Sequence, residues 1–105
     1  LEVKNVTFFR NTDTAEFPDA VTARGTKHLL ALIDAIKKGY KSYLLFLVQI
    51  QNMEKFKIAK DIDSDYYDNY LKAKKAGVNF LAYRCDISSK KIFIDKKLKI
   101  IHDWL

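Results

Sequence analysis

A single cysteine, a single proline and three glycines are scattered through 105 residues, and each scarcity excludes something. One cysteine, Cys85, cannot form an intramolecular disulfide and fits a reducing compartment. The two histidines, His28 and His102, stand far apart with no cysteine beside either, so the residue pattern gives a structural zinc site no support. The longest apolar run, Tyr43 to Val48, is six residues, far short of a membrane span. No basic-then-apolar leader opens the chain, and the expectation is a cytoplasmic protein without a membrane partner. Low proline with 49% apolar residues argues against disorder and for one compact core.

Basic residues are abundant: nineteen Lys and Arg face thirteen Asp and Glu, a net charge of +6. The excess is uneven, with six bases and five acids in residues 1 to 40 and thirteen and eight in the remainder. Such a surplus favours polyanions through counterion release. A solvated lysine surface explains it equally well.

The first nine residues read as a β-strand, rich in β-branched and aromatic types. Strand alternation puts Glu2 and Lys4 on one face. A carboxylate and an ammonium there can bind a divalent cation and polarise a water beside it. Asn11 to Thr14 read as a turn, after which Ala15 to Phe17 return as a short antiparallel strand ended by Pro18. A hairpin of that shape would bring Asp19 back towards Glu2 as a second metal ligand.

A helix is expected from Thr22 to Lys38, with Leu29, Leu32, Ile33, Ile36 and Tyr40 on its apolar stripe and Gly39 as a left-handed cap. Thr22, Arg24, Lys27 and His28 then gather at its start, where free N–H groups favour anions. Thr22 suits an N-cap, Arg24 and Lys27 suit phosphate, and His28 suits either a phosphate contact or a satisfied, half-buried ring.

Tyr43 to Ile50 has the pattern of a strand covered on both faces, with Gln49 at its end as a substrate contact, a partner for Lys4 or a simple strand stop. Gln51 to Asp61 read as a loop anchored by Met53, Phe56 and Ile58. A second helix follows, capped by Asp63 or Ser64, with Tyr67, Tyr70, Leu71 and Lys74 on one face and Gly77 at its end. Val78 to Ile87 and Ile92 to Ile94 read as a hairpin turning at Ser88 to Lys91, and the tail from Asp95, with Trp104, as a further strand or a docked tail. Arg84, within the first of these strands, needs a carboxylate or phosphate, and Asp86 lies on its face. The order of elements predicts an α/β fold, a layered mixed sheet with flanking helices.

The string Phe17-Pro18-Asp19-Ala20-Val21-Thr22, followed by Arg24-Gly25 and Lys27-His28, resembles the sugar fermentation stimulation protein family of bacteria and archaea. The resemblance continues through Leu44 to Gln49, the Asp63-x-x-Tyr66 segment, Ala76-Gly77-Val78 and Leu81 to Cys85, reaching about Ile94. It implies an OB-type N-terminal domain joined to a C-terminal domain related to PD-(D/E)xK nucleases. The chain, which starts inside the Glu-x-Lys strand without Met, would be that single C-terminal domain, lacking the first core strands and an upstream Asp. The resemblance further implies DNA as partner and a regulatory role in sugar (maltose) metabolism, with nucleic-acid contacts at Thr22, Arg24, Lys27, His28 and Gln49. It implies, alternatively, a nuclease using Glu2, Lys4 and Asp19, with Mg2+ (or Mn2+) on Glu2, Asp19 and the Val3 carbonyl. The fragment alone is then expected to be inactive, and its oligomeric state stays open.

Overall fold

The computed structural model describes residues 1–86 and 93–102. Seven strands and two helices follow the chain: β1 (Glu2–Val6), β2 (Phe8–Phe9), β3 (Thr14–Phe17), α1 (Ala23–Lys37), β4 (Tyr43–Val48), β5 (Lys55–Ile58), α2 (Ser64–Ala76), β6 (Asn79–Asp86) and β7 (Phe93–Ile100). The strands form one mixed sheet in the order β1-β4-β6-β7-β5-β3-β2. β1 and β2 occupy opposite ends of that order although only Thr7 separates them, so the sheet curls until its ends meet. β7 makes the second bend, pairing antiparallel with β6 through Leu98 and then parallel with β5 through Lys99 and Ile100.

The expected hairpin between the first strand and Ala15–Phe17 forms only at its tip. Phe8 and Phe9 of β2 pair with Glu16 and Ala15, whereas β1 runs parallel to β4. A long-range parallel pairing has captured β1, because β4 offers it the apolar Leu44, Phe46 and Val48 on the side of Glu2, Lys4 and Val6. Leu44, Phe46 and Val48 are fully buried, while Leu45 and Leu47 on the other face stay half-buried, so β4 is covered unequally rather than on both faces alike.

The segment expected as a loop contains β5. Met53, Phe56 and Ile58 are buried anchors as expected, but Lys55–Ile58 also hydrogen-bonds in parallel between β3 and β7. The strand is short and carries lysines at positions 55 and 57, which hid it from a hydrophobicity pattern. The tail, in turn, is strand β7. The expected turn at Ser88–Lys91 and Trp104 lie outside the described residues.

Both helices pack on the face of the sheet that carries Leu44, Phe46 and Phe80, and against each other. Phe46 is the centre of an aromatic cluster, with ring centroids 4.5 Å from Phe56 and 5.6 Å from Phe17. Tyr66 and Tyr70 of α2 close the cluster against Phe17 and Phe80 at 5.5 and 4.6 Å. Two expected stripe residues fall outside the core: Leu71 and Tyr40 are exposed, and Tyr66, one turn before Tyr70, takes the buried place assigned to Leu71. Among the polar anchors, Arg10 binds the buried Glu16 (Nε to Oε2, 2.9 Å) and Asp61 (Nη1 to Oδ2, 2.6 Å). Arg84 is held by Asp95 at 2.6 Å and by the Met53 carbonyl at 3.0 Å, so the carboxylate it needed comes from β7.

Capping fixes the helix starts. Thr22 Oγ1 accepts the Gly25 N–H at 2.9 Å, and Asp63 Oδ1 accepts the Tyr66 N–H at 3.0 Å. The other Asp63 oxygen accepts the Thr22 N–H at 2.8 Å, so one buried carboxylate ties the two helix starts together. Gly39 and Gly77 end the helices at φ of 90° and 113°, as their left-handed caps require.

That junction leaves no room at Gly25. A methyl group there would lie 2.8 Å from Thr22 Cγ2 and 3.0 Å from Tyr66 Cε1. Gly25→Ala should therefore lose about 1–2 kcal/mol net, overpacking exceeding the helix-propensity gain of about 1 kcal/mol. A thermal melt should show Tm lowered by about 5 °C or more. A raised Tm would mean that the helix junction is loose.

Candidate functional site

Strand alternation and the first turns of α1 bring together three side chains that sequence reading had placed in two clusters. Glu2 and Lys4 project from β1 on its helix-facing side, and His28 descends on them from the second turn of α1. Lys4 Nζ lies 2.5 Å from His28 Nδ1 and 3.5 Å from Glu2 Oε1, and Nδ1 lies 3.3 Å from the same oxygen. The Lys4 side chain is only 14% exposed, so its charge needs these neighbours. Nδ1 is the ring nitrogen engaged by Lys4 and Glu2, and no described residue hydrogen-bonds to Nε2.

On the same helix Arg24, one turn before His28, and Lys27, next to it, are exposed. Neither has an ion-pair or hydrogen-bond partner among the described residues. No acidic residue occupies the first turn of α1, so the positive end of the helix and both cations face solvent uncompensated from within the helix. Thr22 is the N-cap itself, its hydroxyl engaged by Gly25 N–H. Its functional contribution is to hold the helix start in place.

Gln49 and Asp19 do not join the cluster in the expected ways. The Gln49 amide donates to Asn5 Oδ1 at 2.8 Å, and Asn5 lies on the face of β1 opposite Lys4. Asp19 is exposed on the connection between β3 and α1, and no hydrogen bond or ion pair links it to Glu2. The hairpin that was to carry it back is made by β2 instead of β1.

One residue was missed. The ring of Tyr66 packs in the core, but its fully buried hydroxyl has no hydrogen-bond partner among the described residues. Burial, then the nearby carboxylates of Glu2 and Asp63, push its phenol well above the usual range. The hydroxyl thus sits in the field of Glu2, beneath the Gly25 turn, with a donor that no described residue satisfies. The Asp63-x-x-Tyr66 spacing was the available signal, since a capping Asp fixes the residue three places on.

The described residues contain no group of three His, Cys, Asp or Glu able to hold a metal. Glu2 has Lys4 and His28 nitrogens as its nearest partners, whereas a hard cation wants several oxygens. Cys85 is no alternative nucleophile, being buried with its thiol pushed up by that burial. No helix of the described residues is long and apolar enough to cross a membrane.

Residues 1–91 match the family profile described as the sugar fermentation stimulation protein RE domain. The chain is 74% identical over 102 residues to the sugar fermentation stimulation protein homolog of Pelagibacter ubique, covering 97% of this chain and 44% of that protein. It is 41% identical over 103 residues to the homolog of Bartonella quintana, again spanning 44% of the relative. Among solved structures it is similar to Pyrococcus furiosus SfsA in complex with Ca2+, with a TM-score of 0.88 and 26% identity over 96% of this chain and 44% of that one. The fold is accordingly restriction-endonuclease-like, and the chain spans less than half the length of these relatives.

His102, the other histidine, lies outside the site and stacks on Tyr70, whose hydroxyl is 2.7 Å from its Nε2. Burial pushes the Tyr70 phenol up to about 12. Burial and then Lys74 lower the His102 pKa below its ordinary 6.5, so the unfolded chain binds this proton more readily than the folded one. The associated stability is complete above about pH 6.5 and is lost as pH falls from there through the lower folded value. Thermal melts between about pH 7.5 and pH 5.5 should show a decline in Tm that is smaller in His102→Gln. An equal decline in that variant would assign the acid sensitivity to other groups.

Proposed function

Because the chain belongs to the sugar fermentation stimulation protein family, we propose that it contributes a phosphate-contacting surface to a DNA-binding protein. The observation that carries this reading is the pair of exposed cations at the start of α1 beside His28, Arg24 and Lys27, which have no ion pair or hydrogen bond among the described residues. Arg24 offers two parallel N–H donors to one phosphate and Lys27 a point charge a turn later. The first-turn N–H groups not used by the Thr22 cap add their partial positive charge. Contacts of this type fix position on the duplex and carry little sequence information, so binding is weakly sequence-specific. Regulation of sugar (maltose) metabolism belongs to the same proposal and rests on the family's name.

A second reading, a divalent-metal-dependent nuclease, is favoured by the Ca2+ complex of the Pyrococcus furiosus relative. Glu2 and Asp19 are the carboxylates this reading assigns to the cation, Mg2+ or Mn2+, with the Val3 carbonyl as a further oxygen.

Replacing Arg24 and Lys27 with Ala should weaken DNA affinity similarly for unrelated sequences. It should also reduce the slope of log K against log salt by about one unit per contact. Unchanged slope in a filter-binding or anisotropy titration would place the DNA surface elsewhere. For the second reading, the full-length protein is incubated with plasmid DNA and Mg2+ or Mn2+. Cleavage that disappears in Glu2→Gln and Lys4→Ala favours the nuclease, and binding without nicking under all metals removes it.

A further inference from the structure

We propose that Tyr66 is a positioning residue for the Glu2 cluster, its buried hydroxyl donating through one bridging water to the Glu2 oxygen that Lys4 and His28 leave unused. The Tyr66 side chain is fully buried, and its oxygen has no hydrogen-bond partner among the described residues. A hydroxyl in that position has given up its hydration, and such groups are almost always satisfied by an acceptor or by an ordered water. The question is which acceptor lies within reach.

Two independent chains of contact lead from this ring to Glu2. Along α1, a methyl group at Gly25 would lie 3.0 Å from Tyr66 Cε1, and His28, three residues on, reaches Glu2 Oε1 at 3.3 Å. Residues three apart share a helix face about 5–6 Å from each other, so Tyr66 and Glu2 sit under successive turns of one face. Across the sheet, the Tyr66 ring stands 5.5 Å from Phe17, and Phe17 stands 5.6 Å from Phe46. Phe46 is the register partner of Lys4 on the same sheet face.

Elimination selects the acceptor. The other nearby carboxylate, Asp63, already spends one oxygen on the Tyr66 N–H and the other on the Thr22 N–H. The Thr22 hydroxyl is engaged by the Gly25 N–H. Glu2 has capacity left, because its contacts with Lys4 and His28 both fall on Oε1. The charges acting on the phenol agree: after burial itself, Glu2 raises its pKa more than Asp63 does. A Glu2 held through both oxygens cannot turn away from Lys4 and His28, so the cluster keeps a single geometry at the start of α1. This assignment concerns how Glu2 is held, and it stands apart from the DNA and metal readings of the site.

The test is a double-mutant cycle read by thermal melts: Tyr66→Phe, Glu2→Gln and the two combined. Phenylalanine keeps the ring, so the difference reports the hydroxyl alone. Tyr66→Phe should lower Tm by about 4 °C or more, as loss of a hydrogen bond to a charged group requires. In the Glu2→Gln background the same change should lower it by about half as much or less, since a neutral amide is the weaker acceptor. An unpartnered hydroxyl predicts the opposite sign, with Tm unchanged or raised on its removal. Imidazole NMR of Tyr66→Phe supplies a readout that packing alone would not move, and decides the matter if Glu2→Gln melts too low to measure. The His28 ring signals should shift, because the carboxylate they face has lost its second anchor. A raised or unchanged Tm, an equal loss in both backgrounds, or unmoved His28 signals each overturn the proposal. None of these measurements involves DNA or metal, so their failure is separate from failure of the proposed function.

Discussion

The Asp63 carboxylate is the contact on which the site's geometry depends. One oxygen caps α2 through Tyr66 N–H, and the other takes the Thr22 N–H at the start of α1. Hydrogen bonds to a charged group contribute about 1.5–3 kcal/mol each, and a buried carboxylate that lost them would also carry its desolvation cost. Because both helices start from one side chain, their relative position is set to within a hydrogen bond's tolerance. Gly25 then fits against Tyr66 with no space for a methyl group, and α1 delivers His28 onto Glu2 and Lys4. The same junction brings the Tyr66 hydroxyl under the influence of Glu2.

The curled sheet separates the tasks of core and surface. Phe46 gathers Phe17, Phe56 and Phe80 into a buried aromatic centre, although these rings come from strands far apart in the sheet order. Curling makes this possible, and it leaves two places where the regular pattern stops. At one, β1 ends the sheet and sets the half-buried Glu2 and Lys4 beneath the start of α1. At the other, β7 changes partner from β6 to β5.

What the sequence disclosed followed from local signals. Thr22, Asp63, Gly39 and Gly77 announced the helix ends because capping is decided within one turn. The apolar run of β4 announced a buried strand in a mixed sheet. What it concealed was decided by long-range pairing: β1 with β4 instead of β3, and a lysine-bearing β5 held by partners roughly 40 residues away on either side. The site follows the same rule. Glu2 with Lys4, and His28 with Arg24 and Lys27, were each visible as a spacing, but their union depends on how α1 crosses β1. Asp19 was assigned through a hairpin that β1 does not make. Tyr66 escaped notice because helical periodicity reports burial and says nothing of a hydroxyl's surroundings.

The central claim is that the start of α1 is where this domain meets a phosphate backbone. Its most direct test is amide and imidazole NMR of the chain titrated with a short DNA duplex at low salt. The account predicts shifts concentrated at Ala23 to Lys27 and on the His28 ring, fading together as salt is raised. Shifts centred on the lysines of the second half, with residues 22 to 28 unmoved, would contradict it.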